Sequence, residues 1–547
     1  MWTLWGFVAL LAAAVQSHIT YIEVRLPLEG TPSPPGSPWP LPQVYRPSDK
    51  LLEVDPNNFD IRSEAICCDI VDQAIKRYKK LLFPVNKTAE SSKTKLKALD
   101  VEVEEYEDKA EHCGYPHHKS DEKYKLEIKD DGAAILKSKT VWGALRGLET
   151  FSQLLYHDEK AGSFFINATS IEDWPRFSFR GILLDTARHF QPMKVLKQNL
   201  DAMSYSKFNV FHWHLVDDQS WPYEMEVFPN LTDAAYHPKQ IYTQENLREI
   251  IEYARLRGIR VIPEIDTPGH TQAIGKIFPK LLTPCYGEGG KGTSRHPDFA
   301  GFEMLNPMQN YTYDVMKEIF NETTRTFPDE YIHLGMDEVY YKCWESSPEI
   351  AEFMAKNEMK KVAEVEQHYV RRTLDSVKNL GAKYMIWQDP IDNGVKAAPD
   401  TLVGVWKDVY LDSKLLPWQT YMSRIVKHGY QLVLSAPWYL NYISYGEDWK
   451  KYYNIDPRDF EATDEDKDLI IGGEACMWGE YVDGTTLISR LWPRAGAVAE
   501  RLWSSASVVD VESAKFRLDE MRCRMVRRGI PAAPILNGYC GGYDWDL

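Results

Sequence analysis

Residues 210–218 read VFHWHLVDD, a largely apolar run that carries two histidines and ends in two aspartates. A strand that is apolar on both faces is typical of a parallel sheet covered by helices. Comparable segments recur after Trp174-Pro175, namely Gly181–Asp185, Val210–Val216, Arg260–Ile265, Tyr331–Leu334, Tyr384–Ile386, Leu402–Val405, Gln431–Leu434 and Leu469–Gly472. These segments predict an α/β fold with a closed (β/α)8 TIM barrel, and an open doubly wound sheet is the competing fold.

Helical patterns separate most of these strands, and the clearest are Val195–Lys207, Gln244–Gly258, Tyr311–Thr326 and Val365–Leu380. The connection between the fifth and sixth strands is too short to predict a full helix. Upstream, Tyr124–Lys129 and Ala133–Ser138 read as strands, and Thr140 is a cap for a helix over Val141–Leu155. We therefore predict a smaller α+β domain over residues 18–175 and a barrel with a C-terminal helical extension over 176–547.

The composition of the chain excludes some classes of partner. The net charge is −16 and the sequence pI is about 5.5, which argues against a nucleic-acid partner. Residues 1–17 form a short apolar run that predicts a secretory signal peptide, and no other stretch predicts stable membrane insertion. Eight cysteines then predict disulfides, and glycosylation is expected at Asn86, Asn167, Asn230, Asn310 and Asn321.

The C-terminal ends of the eight predicted strands carry an unusual set of side chains. A single tryptophan there is more often a packed aromatic than a ligand, but carboxylates and aromatics at every end favour a binding site. Aromatic faces pack on the C–H surface of a sugar, and carboxylates accept hydrogen bonds from its hydroxyl groups. The set is Asp185, Arg188, His212, His214, Asp217, Asp218, Glu264, Asp266, His270, Asp337, Glu338, Trp387, Trp406, Trp438, Tyr439, Glu474, Trp478 and Glu480.

Cleavage of a glycosidic bond requires a carboxylic acid that protonates the leaving oxygen. Glu338 is the candidate for this acid. Apolar and aromatic neighbours, together with the like charge of Asp337, are expected to raise the pKa of Glu338 and keep it protonated.

Several motifs resemble those of family 20 β-N-acetylhexosaminidases. The segment HLGMDEV at residues 333–339 is similar to the family's H-x-G-G-D-E motif. Further matches are WGALRGLETF (142–151), FHWHLVDD (211–218), DTPGH (266–270), GGEACMWGE (472–480) and LWPRA (491–495). The resemblance extends from about residue 38 to Cys540, and it is greatest to the animal lysosomal α and β subunits of the family.

The resemblance implies substrate-assisted catalysis, in which the sugar's 2-acetamido oxygen attacks C1 and forms an oxazolinium ion. It implies that Glu338 acts as acid and then base, that Asp337 holds the acetamido N–H, and that Tyr439 aims the acetamido oxygen. The acetamido pocket would be walled by Trp387, Trp406 and Trp478, and the ring hydroxyls would be bound by Arg188, Asp217, His270 and Glu480. It also implies a glycan or glycolipid substrate, no cofactor and no metal, a homo- or heterodimer, and a lysosomal or secreted location.

The resemblance further implies the disulfides Cys68–Cys113, Cys285–Cys343 and Cys523–Cys540, with Cys476 free. The additional Cys67 leaves the first bridge ambiguous.

The chain departs from the family at three positions. Met336 replaces a glycine, and we expect its side chain to displace Asp337 or to narrow the pocket. Asn441-Tyr442 stands where α-type subunits have Asn-Arg and β-type subunits have Asp-Leu, so we expect Asn441 to contact neutral sugar ends. Asp389 stands where glutamate is usual.

Two other functions remain open from the residues alone. His212 and His214 lie on one face of a strand, so with His270, His333 and Asp337 they could hold the metal of a hydrolase. A sugar-binding protein that has lost catalysis through Met336 is the second alternative. Activity in the presence of a chelator and turnover of a β-N-acetylglucosaminide distinguish these alternatives from the glycosidase.

Overall fold

The structure is a computed structural model that describes residues 33–63, 68–84, 95–105, 113–294, 299–444, 446–538 and 540. Three features predicted from the sequence lie outside the described residues: the signal peptide at 1–17, the sequon at Asn86, and Cys67.

Eight parallel strands form a closed barrel in which each strand pairs with the next along the chain and the eighth pairs with the first. This closure confirms the (β/α)8 barrel and excludes the open sheet. The strand register places His214 opposite both Asp185 and Glu264, so side chains from three strands meet at one level. The barrel strands are Phe179–Asp185, Val210–His214, Arg260–Glu264, Tyr331–His333, Lys383–Trp387, Leu402–Val405, Gln431–Leu434 and Ile470–Met477.

The four helices predicted between the strands are confirmed to within one turn at each end, as Met193–Tyr205, Gln244–Arg255, Asn310–Thr326 and Val362–Asn379. The connection between strands five and six contains only the one-turn helix Asp389–Asp392. The remaining helices of this part are Gln272–Gly275, Tyr341–Ser346, Pro348–Lys356, Trp418–Ile425, Trp449–Tyr453, Asp464–Lys467, Leu487–Leu491, Arg494–Trp503 and Val511–Arg527, and the 3-10 helices are Pro229–Ala234, Pro279–Leu281, Val426–His428 and Ala436–Trp438.

Two short antiparallel strand pairs follow the third barrel strand. Leu282–Pro284 pairs with Phe302–Leu305, and Tyr286–Gly287 pairs with Gly290–Lys291.

The N-terminal part contains an eight-stranded mixed sheet with two helices, Asp69–Leu82 and Val141–Leu154. The hairpin and the second helix are where the sequence predicts them, and the Thr140 hydroxyl accepts from the Gly143 N–H at 3.4 Å. The pattern missed Val44–Val54 because Pro47 and several charged residues break its alternation where the pairing register shifts. The strands are Val44–Val54, Asp60–Ser63, Lys95–Leu96, Ala98–Glu105, Tyr124–Ile128, Ala134–Thr140, Tyr156–Asp158 and Ser163–Asp173.

Buried ion pairs join this sheet to the N-terminal ends of the barrel strands. Glu122 accepts hydrogen bonds at 2.7 Å from Arg146 of the sheet part and from Arg180 of the first barrel strand. The ammonium group of Lys207 lies 2.8 Å from the carboxylate of Asp173, and both side chains are fully buried. Buried charges are tolerated when each has a partner of opposite charge. The charges buried between the two parts are paired in this way. The opposite end of the barrel remains available for a site.

Cys68 is bonded to Cys113, Cys285 to Cys343, and Cys523 to Cys540, as the resemblance implies. In the described part of the chain, Cys476 is free and buried.

The other predicted sequons lie within the described residues. Asn230 and Asn310 are exposed, whereas Asn167 and Asn321 are half-buried. No helix among the described residues is long and apolar enough to cross a membrane.

Candidate functional site

A pocket of about 640 Å³ opens at the C-terminal ends of the barrel strands. Of the residues to which the resemblance assigns a catalytic or substrate-binding role, all except Trp387 line it. Six other members of the set predicted from the strand ends do not line it, namely Asp185, His212, Asp218, Glu264, Trp438 and Glu474. The lining residues are Arg188, His214, Asp217, Asp266, His270, Asp337, Glu338, Trp406, Leu411, Tyr439, Asn441, Tyr442, Ile443, Trp478, Glu480 and Tyr481. Leu411, Ile443 and Tyr481 were not predicted from the sequence, because loops after strand ends have no periodicity that marks a lining residue.

Asp337 and Glu338 lie in a turn of unusual backbone conformation after the fourth strand. Gly335, Met336 and Glu338 have φ values of +64°, +74° and +49°. A Cβ atom on Gly335 would lie 1.8 Å from a carboxylate oxygen of Asp266, and the same oxygen accepts from the Met336 N–H at 3.1 Å. The Asp266 carboxyl group therefore fixes a left-handed turn that brings both acidic side chains to the pocket.

The prediction that Met336 obstructs the pocket is wrong. Its side chain is fully buried in the main hydrophobic core of the barrel, with Leu334 and Ile386 in the same cluster. Met336 is not among the lining residues, and Asp337 still faces the cavity. The sequence could not reveal this, because the left-handed φ of Met336 decides on which side of the turn its side chain lies.

We expect Met336→Ala to destabilise the protein more than Met336→Gly, by about 1 kcal/mol, reversing the usual preference for alanine. Both changes remove the buried side chain, at a cost of roughly 2–5 kcal/mol, but only glycine relieves the left-handed strain. Urea unfolding of the two variants measures this difference. Equal stability, or a more stable alanine variant, would show that the backbone at Met336 is unstrained.

The carboxyl group of Asp337 is buried at the inner side of the pocket. Burial raises its pKa well above the usual value, and the charges of Asp266, Glu338 and Asp389 raise it further, while His270 opposes them. The Oδ1 atom of Asp337 has no hydrogen-bond partner among the described residues. A buried acceptor in this condition is a place where a ligand donor can bind.

The expectation that the pKa of Glu338 is raised is wrong for the unliganded pocket. A hydrogen bond from His270 lowers the pKa of Glu338 and outweighs the effect of burial. The Nε2 atom of His270 lies 3.4 Å from Oε2 of Glu338, and the Glu338 side chain is 56% exposed. The charge of Glu338 instead raises the pKa of the adjacent Asp337.

His270 belongs to a chain of contacts that runs into the barrel. Its Nδ1 atom lies 3.1 Å from Asp217, whose carboxylate is also 2.8 Å from Arg188 and 2.7 Å from His214. Burial alone would raise the pKa of Asp217, but the charges of His270 and Arg188 hold it well below its usual range. The other ring nitrogen of His214 lies 2.6 Å from Glu264. Asp217 is therefore an ionised residue that orients both His270 and Arg188.

His212 and His214 do face the same side of their strand, as the alternation predicts. They share the carboxylate of Glu264, at 3.1 Å and 2.6 Å, and the other ring nitrogen of His212 lies 3.1 Å from Glu474. Burial lowers the pKa of His212, but these two glutamates more than compensate and raise it to about 9. With these contacts, both imidazole rings belong to a buried network of hydrogen bonds below the pocket.

Aromatic side chains form the wall opposite the acids. The rings of Tyr439 and Trp478 lie 6.4 Å apart. Tyr439 belongs with Trp387 to a small buried cluster, and Trp406 and Trp478 pack against that cluster. Trp387 lies behind this wall, 6.3 Å from Trp478, and donates to Glu264 at 3.0 Å. Burial raises the pKa of Tyr439, so its hydroxyl group remains a hydrogen-bond donor.

The chain is similar to known glycosidases over most of its length. Residues 177–506 match the family model described as glycosyl hydrolase family 20, catalytic domain, and residues 38–154 match the one described as beta-acetyl hexosaminidase like. The β-hexosaminidase subunit β of Homo sapiens is 46% identical over 92% of this chain and 89% of its own. The β-hexosaminidase subunit α of Mus musculus is 47% identical over 92% and 94%. A solved chitobiase from Flavobacterium johnsoniae superposes with a TM-score of 0.77 at 31% identity, covering 90% of this chain and 73% of its own.

Proposed function

Because the chain belongs to glycosyl hydrolase family 20, we propose that Glu338, Asp337 and Tyr439 carry out the reaction of that family in it. The protein is a retaining β-N-acetylhexosaminidase that removes terminal β-linked N-acetylglucosamine or N-acetylgalactosamine from glycans. Its reaction is substrate-assisted, and the acetamido oxygen of the substrate replaces a protein nucleophile.

The unpartnered Oδ1 atom of Asp337 is the observation that carries this assignment of residues. It lies in a pocket whose other wall is Tyr439 and tryptophan side chains. A 2-acetamido group supplies an N–H donor for Asp337, a carbonyl acceptor for Tyr439 and a methyl group for the aromatic faces. The donated hydrogen bond and the positive charge that develops on nitrogen both favour the ionised form of Asp337, so they lower its raised pKa as the reaction proceeds.

Glu338 is the proton donor in the first step. The acetamido oxygen forms a bond to C1, the bond from C1 to the aglycone oxygen breaks, and the Glu338 proton passes to that oxygen. In the second step Glu338 accepts a proton from water as the water oxygen bonds to C1 and the oxazolinium ring opens. Two inversions at C1 give retention of configuration.

The polar residues around the pocket bind the hydroxyl groups of the terminal sugar. Arg188, Asp217, His270 and Glu480 provide donors and acceptors in fixed positions, because Asp217 already orients Arg188 and His270. Asn441 lies at the mouth beside Tyr442, and its Oδ1 atom has no hydrogen-bond partner among the described residues. Neither side chain is cationic, so a neutral terminal sugar is favoured over an anionic one.

A crystal soaked with a thiazoline analogue of N-acetylglucosamine tests the assignment directly. Asp337 is expected to contact the ring nitrogen and Tyr439 the sulfur that replaces the acetamido oxygen. A bound analogue whose ring nitrogen faces away from Asp337 would overturn the proposed roles.

We expect His270→Gln to shift the basic limb of the pH profile of kcat/KM to higher pH. His270 lowers the pKa of Glu338, so its removal lets Glu338 keep its proton at higher pH, although overall activity falls. Steady-state rates measured between acid and neutral pH give the limb. His368→Gln, on the outer helix Val362–Asn379, is the control and should leave the limb in place. A basic limb that stays fixed or moves to lower pH in His270→Gln would contradict the coupling.

We also infer a dimer in the secretory pathway, with the lysosome as the expected destination. The relatives are named as subunits, and exposed apolar side chains at the pocket mouth, including Ile443 and Tyr481, could be covered by a second subunit. Three disulfides and the exposed sequons at Asn230 and Asn310 support an oxidising compartment. Sedimentation of the purified glycoprotein measures the number of subunits.

A further inference from the structure

We propose that Asp389 sets the selectivity of the pocket for the size of the N-acyl group, by tethering the indole ring of Trp406. This inference rests on the proposed function, in which the acetamido methyl group packs against the aromatic wall. Asp389 itself does not line the pocket, so it is a positioning residue.

Trp406 is held by the two residues that follow the fifth barrel strand. Its indole Nε1–H donates to Oδ2 of Asp389 at 2.8 Å. Its backbone N–H donates to Oε1 of Gln388 at 3.0 Å, and the N–H of Lys407 donates to the same oxygen at 3.1 Å. Gln388 therefore fixes the backbone at Trp406, whereas Asp389 fixes the rotation of the ring that faces the pocket.

The tether carries its own counter-charge. The ammonium group of Lys407 lies 2.9 Å from Oδ1 of Asp389 and 3.0 Å from Asp392. The Asp389 side chain is 13% exposed, and a carboxylate at that depth requires a partner to remain ionised. With one oxygen on Lys407 and the other on Trp406, Asp389 has a single orientation available, and the indole ring is fixed with it.

A fixed ring gives the aromatic wall a fixed depth. Trp406 and Trp478 both pack against the buried cluster of Leu183, Trp387, Tyr439 and Cys476, so neither ring can retreat inward. An apolar pocket of fixed depth discriminates against one extra methylene group by roughly 10- to 200-fold. If the tether is cut, Trp406 can turn outward, and the pocket then accepts longer acyl chains and holds the acetyl group less well.

The test compares aryl β-glucosaminides that carry N-acetyl, N-propionyl or N-butyryl groups. Asp389→Leu keeps the branched shape of the side chain but removes the acceptor. We expect its kcat/KM for the N-acetyl substrate to fall about tenfold and its preference for N-acetyl over N-butyryl to fall by a further factor of about five. Asp389→Glu keeps an acceptor and a charge and should restore most of the preference.

Asp392→Leu is the matched control. Asp392 contacts the same lysine at nearly the same distance and also accepts a hydrogen bond from Gln388 at 3.0 Å. The single indole N–H of Trp406 is donated to Asp389, so Asp392→Leu leaves the ring tethered and should keep the acyl preference of the wild type. If Asp389→Leu does not fold, Asp389→Ala replaces it, because alanine also removes the acceptor and leaves the ring of Trp406 itself unchanged. Its acyl preference should also relax.

Two outcomes are informative in different ways. If the wild type hydrolyses the N-acetyl substrate but Asp389→Leu or Asp389→Ala keeps the wild-type acyl preference, the tether is overturned and the proposed function stands. Absence of any wild-type turnover of the N-acetyl substrate overturns the proposed function itself.

Discussion

A β-glucoside that differs from the N-acetyl-β-glucosaminide only at C2 is expected to be hydrolysed at least about 10⁴-fold more slowly. The 2-acetamido oxygen is the nucleophile, and it acts at a high effective concentration because it is held beside C1. A 2-hydroxyl group cannot replace it in this role. Asp337 adds to the penalty, because its buried Oδ1 atom then has no N–H donor. The comparison requires one leaving group on both sugars and kcat/KM measured for each.

A glucosaminide with a free 2-amino group is a useful third substrate. It keeps nitrogen at C2 but lacks the carbonyl oxygen, so it should be as slow as the glucoside. Hydrolysis of the plain glucoside within tenfold of the N-acetyl substrate would mean that a side chain of the protein is the nucleophile.

Glu338→Gln is expected to lower kcat by about 10²- to 10⁴-fold for substrates with a poor leaving group. Glutamine preserves the size of the side chain and can keep a contact with His270, but its amide group is not acidic and cannot protonate the departing oxygen. The loss should be smaller for an aryl leaving group of low pKa, because such an oxygen departs without protonation. Rates for a series of aryl glycosides of different leaving-group pKa give this dependence.

The control for Glu338→Gln is Glu345→Gln, which makes the same change on an exposed residue of the helix Tyr341–Ser346. It should behave as the wild type. A uniform loss across the leaving groups in Glu338→Gln would assign the residue to positioning and would leave the acid unidentified.

The architecture and the location of the pocket were predictable from the sequence. Continuous apolar runs such as Val210–Val216 mark strands that are buried on both faces, and parallel strands in a barrel bring their C-terminal ends together. The residues after those runs therefore had to meet, whatever their distance along the chain. The pocket brings together in this way side chains that follow three different strands, Arg188, Asp337 and Glu480.

The protonation states and side-chain directions were not predictable. The lowered pKa of Glu338 depends on a contact with His270, which belongs to the loop of a different strand. The direction of Met336 depends on a left-handed backbone angle set by Asp266. Trp387 lies at a strand end like the lining residues, but its ring is buried in a cluster against which Trp478 packs. Each of these outcomes follows from contacts between distant segments that no local pattern records.

The buried ion pairs between the N-terminal sheet and the barrel have a consequence for producing the barrel alone. Arg180 and Lys207 belong to the barrel, but their counter-ions Glu122 and Asp173 come from the preceding sheet. A barrel produced without that sheet would expose to water these two cations, which are buried in the whole protein, together with the apolar surface around them. Removal of the sheet therefore loses both ion pairs and the burial of this apolar surface. We therefore expect the barrel of this glycosidase to depend on the N-terminal sheet for its stability, because the sheet covers the N-terminal ends of the barrel strands.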